Sequence, residues 1–213
     1  MSDQPSPASS WTVAEYLDRL ASDLPAPGGG SAAALVGALS AALGSMVCNF
    51  TVGREKFAAV DEDMRDILAH LEAHRAALTD LVQSDMTAYE GVKSAYRLAK
   101  DDPSRPSAIQ AAVRASALVP LAVLDHAASI ARLLKPLASF GNPNLISDVG
   151  VAAILADAAA ASAHINVEVN LALLDDEVFV DQTAAACVAL RSEVTELCAA
   201  AVSATLSAIH GSR

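Results

Sequence analysis

Residues 24–51, LPAPGGGSAAALVGALSAALGSMVCNFT, constrain the fold more than any other stretch of the chain. Pro25 and Pro27 end whatever precedes them, because proline fixes φ and removes a backbone donor. Gly28, Gly29 and Gly30 follow, a run with little backbone preference of its own. Ser31 then stands where a helix N-cap would stand, its hydroxyl able to accept from a free N–H one turn on. No charge follows until Arg54, and Gly37 and Gly44, seven apart, share a helix face with Ala34, Ala41 and Cys48. Side chains this small let a neighbouring helix approach closely. The expectation is a buried central helix, entered through a glycine turn and ending near Gly53.

Two other readings of this stretch are weaker. A glycine run ahead of a helix can cradle phosphate, but no Lys follows the glycines and no apolar strand precedes them. About twenty uncharged residues would also span a bilayer. The stretch is Ala-rich rather than Leu-rich, no basic cluster flanks it, and the other long segments carry regular charges. A core helix and no membrane span is the expectation.

Apolar residues make up 53% of the chain but aromatics only 4%, and the excess is alanine, the best helix former. Strand-like runs of Val, Ile and Thr are nearly absent, so the class is all-α, a bundle of about six helices. A net charge of −11 disfavours nucleic acid and anionic membrane surfaces as partners. Cys48, Cys187 and Cys198 are odd in number and lie in apolar helical context, which predicts reduced core thiols. The chain opens without a basic, apolar leader, and a cytoplasmic location is expected.

Residues 1–10 are Ser/Pro-rich and expected to be a disordered tail, with one helical domain over 11–210. Ser10 can cap a short helix from Trp11 to about Ala21, with Val13, Leu17 and Leu20 as its stripe. After the central helix, Phe57, Val60, Met64, Ile67, Leu71, His74, Leu78, Leu81, Asp85, Tyr89, Val92, Tyr96 and Ala99 keep three-and-four spacing, predicting a long helix or two collinear ones. Residues 107–134 predict a helix kinked or broken at Pro120, and 135–146 a loop. Two further helices are expected over 147–174 and 181–210.

Three groups break the apolar pattern. Asp85 sits on the stripe of the long helix, where a carboxylate is costly unless paired. It is either a salt-bridge or helix-cap partner, or a desolvated acid whose raised pKa suits proton transfer. His74, about 16 Å away along the axis, reads as a structural histidine. The loop Gly141-Asn142-Pro143-Asn144-Leu145-Ile146-Ser147-Asp148 carries more polar groups than one helix cap needs. Asn166 and Asn170, four apart on an apolar helix, are satisfied core amides or ligand contacts. No Cys/His or Glu-x-x-His spacing supports a metal site. The residues alone do not specify a reaction.

These same residues carry a resemblance. Pro27-Gly28-Gly29-Gly30-Ser31, Val52-Gly53-Arg54-Glu55-Lys56-Phe57, Asp85 with Ala88-Tyr89, Gly141-Asn142 with Ser147-Asp148-Val149, and Asn166-Val167 with Asn170-Leu171 occur in family order. The chain resembles the formiminotransferase-cyclodeaminase C-terminal family from about Trp11 to Leu206. The resemblance implies an all-helical homodimer acting on one-carbon tetrahydrofolates, with no cofactor beyond that substrate. Members deaminate 5-formiminotetrahydrofolate to the 5,10-methenyl compound, or hydrolyse the latter to 10-formyltetrahydrofolate. Asp85 matches the family's acid/base. Gly29, Gly30, Ser31, Asn142, Ser147, Asp148, Asn166 and Asn170 would hold the folate, with Arg54, Lys56 and Arg114 as candidates for its glutamate tail. The residues present include no formiminotransferase domain, which tilts the expectation toward the cyclohydrolase.

Overall fold

The structure, a computed structural model, describes residues 7–211. It contains six α-helices: α1 (Val13–Leu20), α2 (Gly29–Asn49), α3 (Asp61–Tyr96), α4 (Arg105–Phe140), α5 (Ile146–Leu171) and α6 (Glu177–Gly211). Short 3-10 turns occur at Ala8–Ser10, Glu55–Val60 and Pro143–Leu145, and no strand occurs among the described residues. The all-α expectation holds.

Helix α2 packs against α3, α4 and α5, and its small residues set the register of both long neighbours. A Cβ added to Gly37 would lie 3.2 Å from Leu78, and one on Gly44 would lie 2.9 Å from Leu71. Gly30, one heptad earlier, faces Asp85, one heptad beyond Leu78. The two helices are therefore antiparallel, with a glycine every seventh position in α2 receiving a side chain every seventh position in α3. On the other flank Gly29 faces Asn166, Gly37 faces Ala159, and the Ser40 hydroxyl donates to the Ala152 carbonyl at 2.7 Å. Helix α5 thus also runs antiparallel to α2. Leu71, Leu78, Leu124, Leu134 and Leu137 are fully buried around this frame.

Several local expectations change. Ser31 is not the cap of α2; the helix begins at Gly29 with Gly28 as N-cap, and Ser31 lies inside the first turn. Helix α1 is capped by Thr12, not Ser10, in a reciprocal box with Glu15. It also turns a different face inward: Tyr16 is buried while Val13 and Leu17 are exposed. Tyr89 and Tyr96 leave the buried stripe of α3 for the surface. Helix α4 runs unbroken through Pro120 and on through Pro136, so the expected loop shrinks to 141–145. An internal proline costs roughly 3 kcal/mol. Burial of Pro120, Leu134 and Leu137 against the core offsets that cost.

Of the expected disordered tail, residues 1–6 lie outside the described residues. Ala8–Ser10 instead form a turn, with Ala8 buried and its N–H donated to Gln83 Oε1 at 3.0 Å. Cys48, Cys187 and Cys198 are buried free thiols, as expected; burial pushes Cys48 and Cys198 up to about 12 and Cys187 to about 11. Gly29–Asn49, Arg105–Phe140 and Pro143–Leu171 are long and apolar enough to cross a membrane by length and composition. In the bundle each packs against other helices.

Candidate active site

The N-terminal turn of α2, the C-terminal third of α3 and the last turns of α5 enclose a cleft of about 340 Å³. Gly28, Gly29, Gly30, Asp85, Asn166 and Asn170 line it, so five residues singled out from sequence, Gly29, Gly30, Asp85, Asn166 and Asn170, meet in one place. Tyr89 and Ser116 line it as well. Tyr89 is one helical turn beyond Asp85, a spacing that puts both on one face. Ser116 carried no signal, being a single hydroxyl in an Ala-rich helix.

Asp85 is the one charged side chain lining the cleft. Its Oδ2 accepts the Ser31 backbone N–H at 2.9 Å. That N–H belongs to the first turn of α2, where no residue four back can accept it. The carboxylate thereby closes the helix end from a distance of 54 residues in sequence. The helix-cap contact is thus realised. Burial raises the Asp85 pKa from its ordinary value, and the Ser31 hydrogen bond only partly opposes it. Oδ1 accepts no hydrogen bond from the described residues and lies on the Gly30 side, 2.1 Å from where a Cβ would stand.

Asn166 and Asn170 each donate their amide N–H back into α5, to the Ser162 and Asn166 carbonyls, both at 2.8 Å. Their amide oxygens accept nothing among the described residues, so two residues with unpaired acceptors line the same cleft as Asp85. A carboxyl able to take and return a proton thus shares one cleft with amide acceptors able to orient the N–H edge of a planar heterocycle.

Ser31 backs the cleft through its bond to Asp85, and the remaining sequence candidates do not line it. Asn142 donates its N–H to Thr51 Oγ1 at 3.0 Å and its amide to the Phe50 carbonyl at 3.2 Å, tying the Pro143–Leu145 turn to the C-terminal end of α2. Ser147 and Asp148 occupy the first turn of α5. Arg54 and Lys56 flank the start of the turn after α2, Lys56 lying 4.5 Å over the Phe57 ring. Helix α2 is 21 residues long, so these groups sit roughly 30 Å from the cleft. Arg114 is paired with Asp176 at 2.7 Å. His74 is structural, as expected: its Nδ1 lies 2.9 Å from Nδ1 of His126 on α4.

A larger groove of about 630 Å³ runs between α5 and α6 past Ile154, Cys198, Val202 and Leu206. Its one carboxylate, Asp157, is bound by Arg191 at 2.6 Å, and its thiol is held protonated by burial. Asp85, by contrast, has no ion-pair partner among the described residues. Among the described residues no group of three or more His, Cys, Asp or Glu could hold a metal ion.

Comparison with known proteins points to the same residues' family. The model of the formiminotransferase-cyclodeaminase family matches residues 12–189. The methenyltetrahydrofolate cyclohydrolase of Methylorubrum extorquens is 41% identical over 175 residues, covering 80% of this chain and 84% of that protein. The formimidoyltransferase-cyclodeaminase of Rattus norvegicus is 38% identical over 74% of this chain, which spans only 30% of that longer protein. The crystal structure of formiminotetrahydrofolate cyclodeaminase from Thermotoga maritima superposes with a TM-score of 0.82 at 31% identity, covering 95% of this chain and 97% of that one. With a family model matching residues 12–189 and a relative 41% identical over 80% of its length, the chain belongs to the formiminotransferase-cyclodeaminase family.

Proposed function

We propose that the chain hydrolyses 5,10-methenyltetrahydrofolate to 10-formyltetrahydrofolate, with Asp85 as the acid/base. The observation that carries this is that the desolvated Asp85 carboxyl and the Asn166 and Asn170 amides line one cleft. The methenyl carbon is an electrophilic amidinium. Asp85 takes a proton from water as its oxygen bonds to that carbon, and returns the proton to N5 as the C–N5 bond breaks. The carbinol hydroxyl loses the second water proton to solvent as its oxygen becomes the formyl carbonyl. A carboxyl whose pKa burial has raised is more readily reprotonated between the two steps than an ordinary carboxylate. The hydration consumes only water, and the reading assigns no cofactor. The likeness to a cyclohydrolase along 84% of its length supports this reaction over others.

The second reading is a formimidoyltetrahydrofolate cyclodeaminase, favoured by the Thermotoga structure. There the same carboxyl would protonate departing ammonia while N10 closes the ring. Spectroscopic decay of methenyltetrahydrofolate, followed beside ammonia release from formiminotetrahydrofolate, separates the two. Decay without ammonia supports the first reading, ammonia release the second, and neither activity in the folded protein refutes both.

The active unit in this reading is a homodimer. Val151, Ile154, Ile165 and Val169 are exposed along one side of α5, and Val169 reaches the cleft. This stripe joins the cleft to the end carrying Asn142, Ser147 and Asp148. A second copy packed antiparallel along it would bring those residues, with Arg54 and Lys56, beside the partner's Asp85 cleft, as a two-fold interface requires. The two halves of the sequence-derived site would then be reunited between chains. Light scattering should give twice the 21.8 kDa chain mass, and Ile165→Glu should give the monomer; a monomeric wild type refutes the dimer. The same preparation, made without detergent, tests the reading of a soluble, cytoplasmic protein.

A further inference from the structure

Helix α1 buries a single residue, Tyr16, and what that residue touches is the first turn of α2. The Tyr16 hydroxyl lies 3.0 Å from Ser31 Oγ, with Ser31 fully buried. The Ser31 N–H in turn is the hydrogen bond to Asp85 Oδ2 at 2.9 Å. This first turn needs an external hold. It consists of Gly29, Gly30 and Ser31 behind the N-cap Gly28, so it combines the residue type with least backbone preference and the helix end lacking its own hydrogen-bond partners.

We propose that Tyr16 is a positioning residue for the site: its buried hydroxyl fixes Ser31, and through Ser31 holds the glycine turn of α2 against the Asp85 carboxylate. The catalytic consequence rests on the acid/base reading of Asp85. Burial, with the Asp85 charge adding to it, raises the Tyr16 phenol above its usual range, against the opposing effect of the Ser31 bond. Tyr16 therefore remains a neutral hydroxyl across the working pH range. No other charged group lines the Asp85 cleft from α2, α4 or α5, so the Ser31 N–H is the main opponent of the burial that raises the carboxyl. A loosened turn weakens that bond, and the Asp85 pKa must rise.

The test is Tyr16→Phe, which keeps the ring and removes only the hydroxyl. The Asp85 carboxyl carbon is titrated by NMR in 13C-aspartate-labelled protein, assigned with Asp85→Asn, with Tyr96→Phe as an exposed control. Tyr16→Phe is expected to raise the Asp85 pKa by roughly 0.5–1 unit and to move the acid limb of kcat/KM up equally, with KM unchanged. Ser31→Ala breaks the same bond from the other side while keeping the N–H donor, and is expected to give the same shift. The double variant is expected to shift no further than either single one. An Asp85 titration that stays at the wild-type position in Tyr16→Phe, or in Ser31→Ala should the former not fold, overturns the proposal. A titration that shifts while the wild-type protein is inactive on both folates upholds the positioning role and overturns the folate reading instead.

Discussion

Gly30 and Asp85 meet with no room for a methyl group: a Cβ on Gly30 would stand 2.1 Å from Asp85 Oδ1. The pair continues the series Gly44–Leu71 and Gly37–Leu78 along the α2–α3 seam, so the acid occupies a place that elsewhere in the seam belongs to leucine. Its desolvation follows from that place.

Gly30→Ala should therefore displace the carboxyl while leaving the fold intact, because alanine suits the helix itself. A misplacement near 1 Å costs about 100-fold in rate. Steady-state kinetics should show kcat falling by that order, with circular dichroism unchanged. Wild-type kcat in this variant would contradict the close approach.

Asp85→Asn should abolish turnover, by about 10²- to 10⁴-fold, without destabilising the protein at neutral pH. Burial raises the folded-state pKa of Asp85 above its unfolded value. Its contribution to stability is thus full below the unfolded value, near about 3.9, and is lost as pH rises through the folded one. At pH 7 the variant should melt at or above the wild-type Tm, the gap closing toward pH 4. A variant that melts well below wild type at pH 7 would show that the carboxylate is a net stabiliser.

His74 and His126 supply pH dependence of the opposite sign. Burial lowers both pKa values; at His74 the charges of His126 and His70 add to this, and Asp125 opposes it at both. Stability from a neutral pair is present above the unfolded value of about 6.5 and is lost as pH falls through the folded values. Urea unfolding should show wild type weakening from pH 6.5 to 5, and His126→Leu weakening less over that interval. Equal loss in both would exclude the pair as its source.

Leu71 and Gly44 should be energetically coupled. Leu71 is fully buried, so Leu71→Ala should cost about 2–5 kcal/mol. Gly44→Ala alone crowds Leu71 Cδ1, and overpacking of this kind costs about 1–3 kcal/mol. In the double variant the added methyl occupies vacated space, so unfolding free energies should fall short of the additive loss. Additivity would mean that the two helices separate rather than repack.

Local chemistry determined much of this protein. Alanine content and long three-and-four periodicity specify helices, and the glycine spacing specifies a face that another helix can approach closely. A carboxylate on an apolar stripe marks Asp85 for the same reason that it is costly to bury. What local chemistry could not decide was partnership across the bundle. Ser31 has the composition of an N-cap, yet Gly28 takes that position because a carboxylate 54 residues away satisfies the turn. Tyr16, rather than Val13 or Leu17, faces inward because its hydroxyl finds Ser31. Pro120 and Pro136 fail to break α4 because core burial outweighs a lost backbone hydrogen bond. The polar residues that sequence order gathers into one group are divided between the two ends of α2 by its antiparallel packing against α5. Hydrogen bonds and burial act between atoms close in space, and only the tertiary structure decides which residues those are.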